Sequence, residues 1–155
     1  MKDYKELIDT IEQSGEDVFW QGPVDNSQIK ILEEKLNVNL PASFKVFLNK
    51  YGGGGVIDDE ISGIESNNAE LKTGGTVLSD TMECRKDFDM PNHLVVIFYK
   101  YQELAWCIDC SSRNNENECP IVSYDLFRRK VTNIIADNFE LFFKQYLELR
   151  AGIDL

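Results

Sequence analysis

The longest regular pattern of apolar and polar positions runs from Val24 to Gly55 and predicts two amphipathic helices. In its first half, apolar residues stand at positions 29, 32 and 36, with lysines and glutamates between them. Asp25 is the predicted N-cap of this helix, and Gln28 supplies the second half of a capping box. Pro41 suits the first turn of the second helix, because its missing N–H needs no partner there.

The second helix of the pair carries an aromatic face. It is formed by side chains at helical spacing, namely Phe44, Phe47, Leu48 and Tyr51. Gly52, the first of four consecutive glycines, stands where a left-handed residue would end the helix. A helix with such a face must pack against the rest of the chain, so we expect Phe44 and Phe47 to be buried.

Three further helices are predicted, over residues 3–13, about 81–88, and 139–147. Each has an apolar stripe or a start signal of the capping-box kind. The residues with capping-box spacing are Asp3 with Glu6, Asp80 with Glu83, and Asp137 with Glu140.

After residue 92 the pattern changes to that of β-strands. The predicted strands are 93–99, 104–109 and 120–124. The first is an almost continuous apolar run, which is typical of a strand buried on both faces. Short polar connections between the strands favour an antiparallel meander. In the weakly patterned segment before them, only a short strand near 60–64 is indicated.

Together these elements predict one α+β domain over residues 1–155, with an antiparallel-rich sheet flanked by helices. The length of 155 residues and the hydrophobic content of 43% are typical of a single globular domain. No apolar run approaches the roughly 20 residues that cross a bilayer, and the acidic N-terminal helix is unlike a signal peptide. We therefore expect a cytoplasmic protein with no membrane partner and with reduced cysteines.

The net charge of −11 narrows the classes of partner. Residues 54–91 contain nine acidic and three basic residues, the largest acidic excess along the chain. Such a segment repels phosphate groups, which disfavours direct binding of nucleic acid, whereas it attracts a basic protein. The alternative is that the acidic residues only maintain solubility.

Few residues suggest catalysis or metal binding. His93, the one histidine, begins a predicted strand, a position more typical of a polar edge than of a general base. Cys107 and Cys110 have a zinc-ligand spacing, but at strand periodicity they point to opposite faces. We expect these two, with Cys84 and Cys119, to be small packed thiols, and we predict no metal and no cofactor.

The helical pair resembles the SUKH superfamily, which includes Smi/Knr-like regulators of yeast cell-wall assembly and many bacterial immunity proteins. The shared features are an acidic residue in the first helix, a Leu-Pro step, an aromatic helix and a glycine-rich exit. The matching residues are Glu34, Leu40, Pro41, Phe44, Leu48, Tyr51, Gly52 and Gly53. Many relatives have Asn-Gly at this exit, and Gly-Gly is a mild departure because both residues tolerate positive φ.

The second half of the chain resembles the same superfamily. A strand that ends in Asp109, a strand that begins Pro120-Ile121-Val122, and a closing Phe-Glu-x-Phe helix follow in the superfamily's order. The resemblance therefore covers about residues 20–147. It implies a SUKH-like fold and, for the immunity branch, a protein that binds a cognate toxin and blocks it without doing chemistry.

The resemblance and the charge together predict the docking residues. Many toxins neutralised by such proteins are nucleases, whose substrate sites are basic, and an acidic surface can mask such a site. Loops on a rigid scaffold often carry recognition residues. The predicted partner-binding residues are Asp58, Asp59, Glu60 and Glu65, with Asp80, Glu83 and Asp87 as a second group.

Two other functions stay open at this point. One is a non-catalytic interaction scaffold of the cell-wall-regulator kind, which would serve several partners. The other is a metal-dependent hydrolase that uses residues 58–60, because hard divalent ions take carboxylate oxygens. This cluster lacks the spaced ligands of a calcium loop, which disfavours the hydrolase. The resemblance together with the charge makes the immunity function the one we expect.

Overall fold

The computed structural model describes residues 4–100 and 103–153, and within these ranges the chain is an α+β protein, as predicted. The helices are α1 (Lys5–Gln13), α2 (Asn26–Leu36), α3 (Ala42–Lys50), α4 (Val77–Asp87) and α5 (Phe139–Arg150). The strands are β1 (Val18–Trp20), β2 (Gly54–Val56), β3 (Leu94–Lys100), β4 (Leu104–Asp109), β5 (Ile121–Asp125) and β6 (Lys130–Ala136). A short 3₁₀ helix lies at Glu65–Asn67. No helix in the described ranges is long and apolar enough to cross a membrane.

The main sheet is an antiparallel meander with the strand order β3-β4-β5-β6. Side chains of β3 are buried on both of its faces, as the apolar run predicted. Val95 and Ile97 belong to the larger core, which also contains residues of α1, α2, α3 and α5. Leu94 and Val96 belong to a smaller core, to which α4 contributes Cys84. The sheet is thus flanked by helices on both sides.

The larger core is built largely from aromatic rings. Phe47 is fully buried, and its ring centroid lies 5.0 Å from that of Phe139 and 5.1 Å from that of Phe143, both on α5. Phe44 is also fully buried and contacts Phe139 edge to face at 4.9 Å. The predicted burial of Phe44 and Phe47 is therefore confirmed, and α5 supplies most of the rings that cover them.

A small antiparallel ribbon of β1 and β2 forms a second sheet, separate from the four-stranded one. It was not predicted, because two of the three residues of β2 belong to the glycine run. A Cβ on Gly54 would overlap the carbonyl oxygen of Phe19, and a Cβ on Gly55 would overlap the hydroxyl of Tyr146. Their φ angles of +107° and +132° are also costly for any other residue. Gly54 and Gly55 therefore allow close packing. Gly52, at φ +74°, ends α3.

The predicted start of α4 is wrong by four residues. Thr76 is the N-cap, and its side-chain oxygen accepts a hydrogen bond from the N–H of Ser79 at 3.1 Å. Asp80 consequently lies inside the first turn rather than at the cap. The cap is a hydrogen bond from Ser79 to Thr76, whereas Asp80 and Glu83 both line a groove that is described below.

The other predicted capping boxes also mark helices that form, but the hydrogen bonds observed at these helix starts differ from the predicted ones. Asp25 is the N-cap residue of α2, but its carboxylate accepts a hydrogen bond from the side chain of Asn67 instead. For α5 the capping side chain is that of Asn138, which accepts from the N–H of Leu141 at 2.9 Å, and not that of Asp137. The prediction that Asp3 caps α1 lies outside the described residues.

The structure differs from the predicted strands at two places. The segment near 60–64 forms only isolated bridges, in which Ile61 pairs with Gly54 and Gly63 pairs with Thr76. The fourth strand, β6, was not predicted at all, and it forms the outer edge of the sheet beside β5.

Candidate protein-binding groove

An open cavity of about 590 Å³ lies where the β1–β2 ribbon meets the segment 60–65 and α4. Glu60, Glu65, Asp80 and Glu83 all line it, and we call it the acidic groove. Phe19 of β1 also lines it and leaves 52% of its surface exposed. Tyr99, at the end of β3, completes the wall beside Glu83.

Four of the seven predicted docking residues are therefore brought together by the fold. Glu60 and Glu65 lie on the segment 60–65, whereas Asp80 and Glu83 lie on α4. Backbone hydrogen bonds to β2 and β3 hold the segment 60–65 in place. The backbone N–H of Gly54 donates to the carbonyl of Ile61 at 2.8 Å, and the reverse bond has the same length. The N–H of Ser62 donates to the carbonyl of Ile97 at 2.7 Å, which fixes the segment 60–65 to β3.

Asp80 forms the floor of the acidic groove rather than its rim. Its side chain is buried, with only 7% of the residue exposed. One carboxylate oxygen accepts a hydrogen bond from the hydroxyl of Ser62 at 2.8 Å, and the other accepts one from the N–H of Gly75 at 3.3 Å. Burial raises the pKa of Asp80 above its ordinary value, although these two bonds oppose the change. Asp80 thus ties α4 to both neighbouring loops.

The remaining three predicted residues lie outside the acidic groove. Asp59 pairs with Lys100 and, at 3.6 Å, with Arg150, so its charge is already compensated within the chain. Asp58 is exposed beside it, in a left-handed conformation at φ +75°. Asp87 is exposed at the last residue of α4. The fold therefore places Glu60 in the acidic groove and leaves its two acidic neighbours in the sequence, Asp58 and Asp59, outside it.

The aromatic part of the groove was not found from the sequence. Phe19 stands in an apolar trio with Val18 and Trp20, which by pattern alone are all equally suited to the core. Pairing with β2 turns Trp20 toward Tyr51, at a ring-centroid distance of 4.5 Å, and leaves Phe19 exposed. Only the register of this ribbon, which the sequence pattern does not reveal, distinguishes the two rings.

The described residues offer little for metal binding or catalysis. No group of three or more histidine, cysteine, aspartate or glutamate side chains could hold a metal ion in that part of the chain. Cys107 belongs to the core on the α4 side of the sheet, whereas Cys110 packs against the opposite core, so their predicted separation is confirmed. His93 is exposed, with its Nε2 atom 3.9 Å from a carboxylate oxygen of Asp109.

One family match adds to this geometry. The family SUKH_5, described as SMI1-KNR4 cell-wall, matches residues 4–148 of the chain. The matched range contains the helical pair, both sheets and all four carboxylates of the acidic groove.

Proposed function

Because the chain belongs to the SMI1-KNR4 family of the SUKH superfamily, we propose that it is an immunity protein. It binds a cognate toxin in the cytoplasm and neutralises it, without catalysing a reaction. The partner is a basic protein, and a toxin with a nuclease domain fits best, because a site that holds phosphates must be basic.

The observation that carries this proposal is the acidic groove. Carboxylates from Glu60, Glu65 and Glu83 surround a concave surface, and the buried Asp80 adds a fourth carboxyl at its floor. A lysine or arginine of the partner that enters the groove gains several carboxylate neighbours at once. Charge complementarity of this kind accelerates the encounter and excludes partners of the wrong sign.

Phe19 gives the same surface an apolar anchor. A half-exposed aromatic ring beside charged groups is typical of the residues that dominate protein interfaces. Burial of the ring would add affinity, whereas the surrounding carboxylates would set orientation and specificity. This combination favours a specific protein partner over a surface that is acidic only for solubility.

The geometry also bears on how the groove carboxylates would act. Glu65 and Glu83 are partly buried before any partner arrives, so a partner that covers them must pair with them to offset their lost hydration. Removal of one of these charges would therefore affect dissociation, while removal of an exposed charge would mainly affect association and its dependence on salt.

The test begins with the gene beside the one for this chain. We expect it to encode a toxin whose C-terminal domain binds the purified chain in isothermal titration calorimetry, and whose nuclease activity is lost at a stoichiometric amount of the chain. Cells that produce this toxin domain should grow when they also produce the chain. Absence of both binding and protection would contradict the proposal.

The family's description, which refers to the cell wall, favours one second candidate function, that of an interaction scaffold. A scaffold would bind its partner through the same kind of surface, but it would leave the partner's activity unchanged. The inhibition assay therefore distinguishes the two functions, because only an immunity protein abolishes nuclease activity as it binds.

A further inference from the structure

The antiparallel pairing of β4 with β5 places two cysteines opposite each other at its end. Ile108 pairs with Ile121, and the N–H of Asp109 donates to the carbonyl of Pro120 at 3.0 Å. The next pair in the same register is Cys110 with Cys119. These residues are nine apart in the sequence, and the loop between them returns the chain to form the pair.

The geometry of this pair suits a disulfide. Because Asp109 and Pro120 occupy a hydrogen-bonded position of the ladder, Cys110 and Cys119 occupy the adjacent non-hydrogen-bonded position. Opposite residues at such positions have Cα atoms about 4.5 Å apart, within the range of about 4.4–6.8 Å that a disulfide spans. Both side chains lie on the same face of the sheet, since Cys119 belongs to the larger core and Cys110 packs against it. Both are free thiols in the structure.

The two thiols differ in accessibility. Cys119 is fully buried, whereas Cys110 is partly exposed and lines an open cavity of about 730 Å³ with His93 and Arg113. The thiol of Cys110 donates a hydrogen bond to the sulfur of Cys119. This bond raises the pKa of Cys110 and lowers the pKa of Cys119. The guanidinium of Arg113 favours a thiolate on either sulfur.

We propose that Cys110 and Cys119 form a reversible redox site, which a small disulfide compound oxidises to an intramolecular disulfide. The accessible Cys110 meets the oxidant in the open cavity, and the buried Cys119 resolves the product. The inference is independent of the toxin-binding function, because the cysteine pair does not line the acidic groove.

With glutathione disulfide as the oxidant, the reaction balances in two thiol–disulfide exchanges. Because the pKa of Cys119 is the lowered one, the reactive pair holds a single proton, on Cys110, and Cys119 has given its own proton to water. Cys110 passes its proton to the Cys119 thiolate, attacks one sulfur of glutathione disulfide, breaks its S–S bond and releases the first glutathione as a thiolate. Cys119 then gives this proton to the released thiolate and attacks the sulfur of Cys110, which breaks the mixed disulfide and releases the second glutathione as a thiolate. That thiolate takes up from water the proton that Cys119 lost at the start. Two protein thiols are oxidised, and one glutathione disulfide is reduced to two glutathione molecules.

Oxidation would close a loop that already contacts the helical pair. Glu118 accepts hydrogen bonds from both the N–H and the hydroxyl of Ser43, at 2.9 and 2.6 Å, at the start of α3. Arg113 donates to the carbonyl of Asn39 in the connection between α2 and α3. A disulfide between Cys110 and Cys119 would hold the two ends of this loop together. Oxidation would therefore restrict the loop where it contacts the helical pair, and reduction would release it.

The experiment incubates the full chain with glutathione disulfide, blocks the remaining thiols with N-ethylmaleimide, and maps the peptides by mass spectrometry. We expect a Cys110–Cys119 cross-link, a fall from four free thiols to two, and full recovery with dithiothreitol. The oxidised chain should melt about 5–10 °C higher, because the closed loop restricts the unfolded chain. Retention of all four thiols, or a cross-link between Cys84 and Cys107 instead, would overturn the proposal.

Two variants test the order of the steps. Cys119→Ser should keep a stable glutathione adduct on Cys110, since no resolving thiol remains, whereas Cys110→Ser should take up little glutathione. Cys84→Ala, in the core on the other face of the sheet, is the matched control and should form the Cys110–Cys119 cross-link as the parent does. An unmodified Cys119→Ser chain, with its fold verified by circular dichroism, would contradict the assigned roles.

Discussion

The hydroxyl of Tyr146, on α5, donates a hydrogen bond to the backbone carbonyl of Asp59 at 2.7 Å. The same hydroxyl accepts a bond from the N–H of Val56 at 2.9 Å. Arg150, one turn further along the helix, pairs with the carboxylate of Asp59. The last helix thus fixes the turn that leads into Glu60, and one wall of the acidic groove is held rigid before any partner binds. Such preorganisation lowers the entropy cost of binding.

The bond between Tyr146 and Val56 predicts a loss of stability on removal of the hydroxyl. Tyr146→Phe leaves the buried N–H of Val56 without an acceptor, which costs about 1–3 kcal/mol. Urea denaturation of the two proteins measures the difference in the free energy of unfolding. A difference below about 0.5 kcal/mol would show that the N–H finds another partner.

Phe47 predicts a larger effect, because it lies at the centre of the aromatic core. Phe47→Ala should reduce the free energy of unfolding by about 3–5 kcal/mol, as expected for a phenylalanine whose removal leaves a cavity. Val46→Ala, at the adjacent position of α3 and 39% exposed, is the control and should cost much less. A loss below about 1 kcal/mol for Phe47→Ala in denaturant titration would show that this face of α3 is not core.

The sequence predicted the helical pair, the three strands β3 to β5 and the closing helix because burial leaves a periodic pattern there. It did not predict β6 because that strand is an edge. Val131 and Ile134 remain 45% and 70% exposed, so no buried face imposes a pattern on the segment. The β1–β2 ribbon was missed since each strand has only three residues, and two of those in β2 are glycines.

The candidate site was also predicted only in part, because charge is visible in the sequence whereas contacts between distant segments are not. The acidic excess of residues 54–91 is visible in the sequence, and it contains all four carboxylates of the acidic groove. The sequence could not show that Asp59 is neutralised, because Arg150 lies far along the chain and approaches only when α5 packs. It could not show either that Asp80 is buried, since this depends on Ser62 and Gly75 closing over the first turn of α4.

Asp80 predicts a specific dependence of stability on pH. Burial raises its pKa in the folded state, so the folded chain binds more protons than the unfolded chain as the pH rises past the carboxyl's ordinary value. Ionisation of Asp80 therefore lowers the free energy of unfolding toward neutral pH. Asp80→Asn cannot ionise, and its stability relative to the parent should increase between pH 4 and pH 7.

The measurement for Asp80 is thermal melting of both proteins across this pH range, taken as the difference between variant and parent. The difference cancels the titration of the other carboxylates. A difference that falls with rising pH would contradict the raised pKa and would show that the bonds from Ser62 and Gly75 outweigh burial.

The positions of the cysteines predict a fold that does not depend on zinc. Cys107 and Cys110 lie on opposite faces of the sheet, so one ion cannot bind both without disrupting β4. We expect the melting temperature to be the same with and without a chelator such as EDTA. Unfolding by the chelator, or about one zinc ion per purified chain, would show that the cysteines bind metal.

If the proposal is right, the acidic groove, and not the overall charge, binds the toxin. Two variants of equal net charge separate these causes. The groove variant carries Glu60→Gln, Glu65→Gln and Glu83→Gln. The control carries Glu12→Gln, Glu116→Gln and Asp137→Asn, at three exposed positions that do not line the groove.

The decisive measurement is the dissociation constant of each variant for the toxin domain, determined by isothermal titration calorimetry at one fixed salt concentration. We predict that the groove variant binds at least about tenfold more weakly than the parent, a loss of about 1.4 kcal/mol, while the control stays within about twofold. Equal weakening of both variants would mean that net charge alone drives the encounter. Unchanged binding by the groove variant would contradict toxin binding in the acidic groove and place the docking surface elsewhere on the molecule.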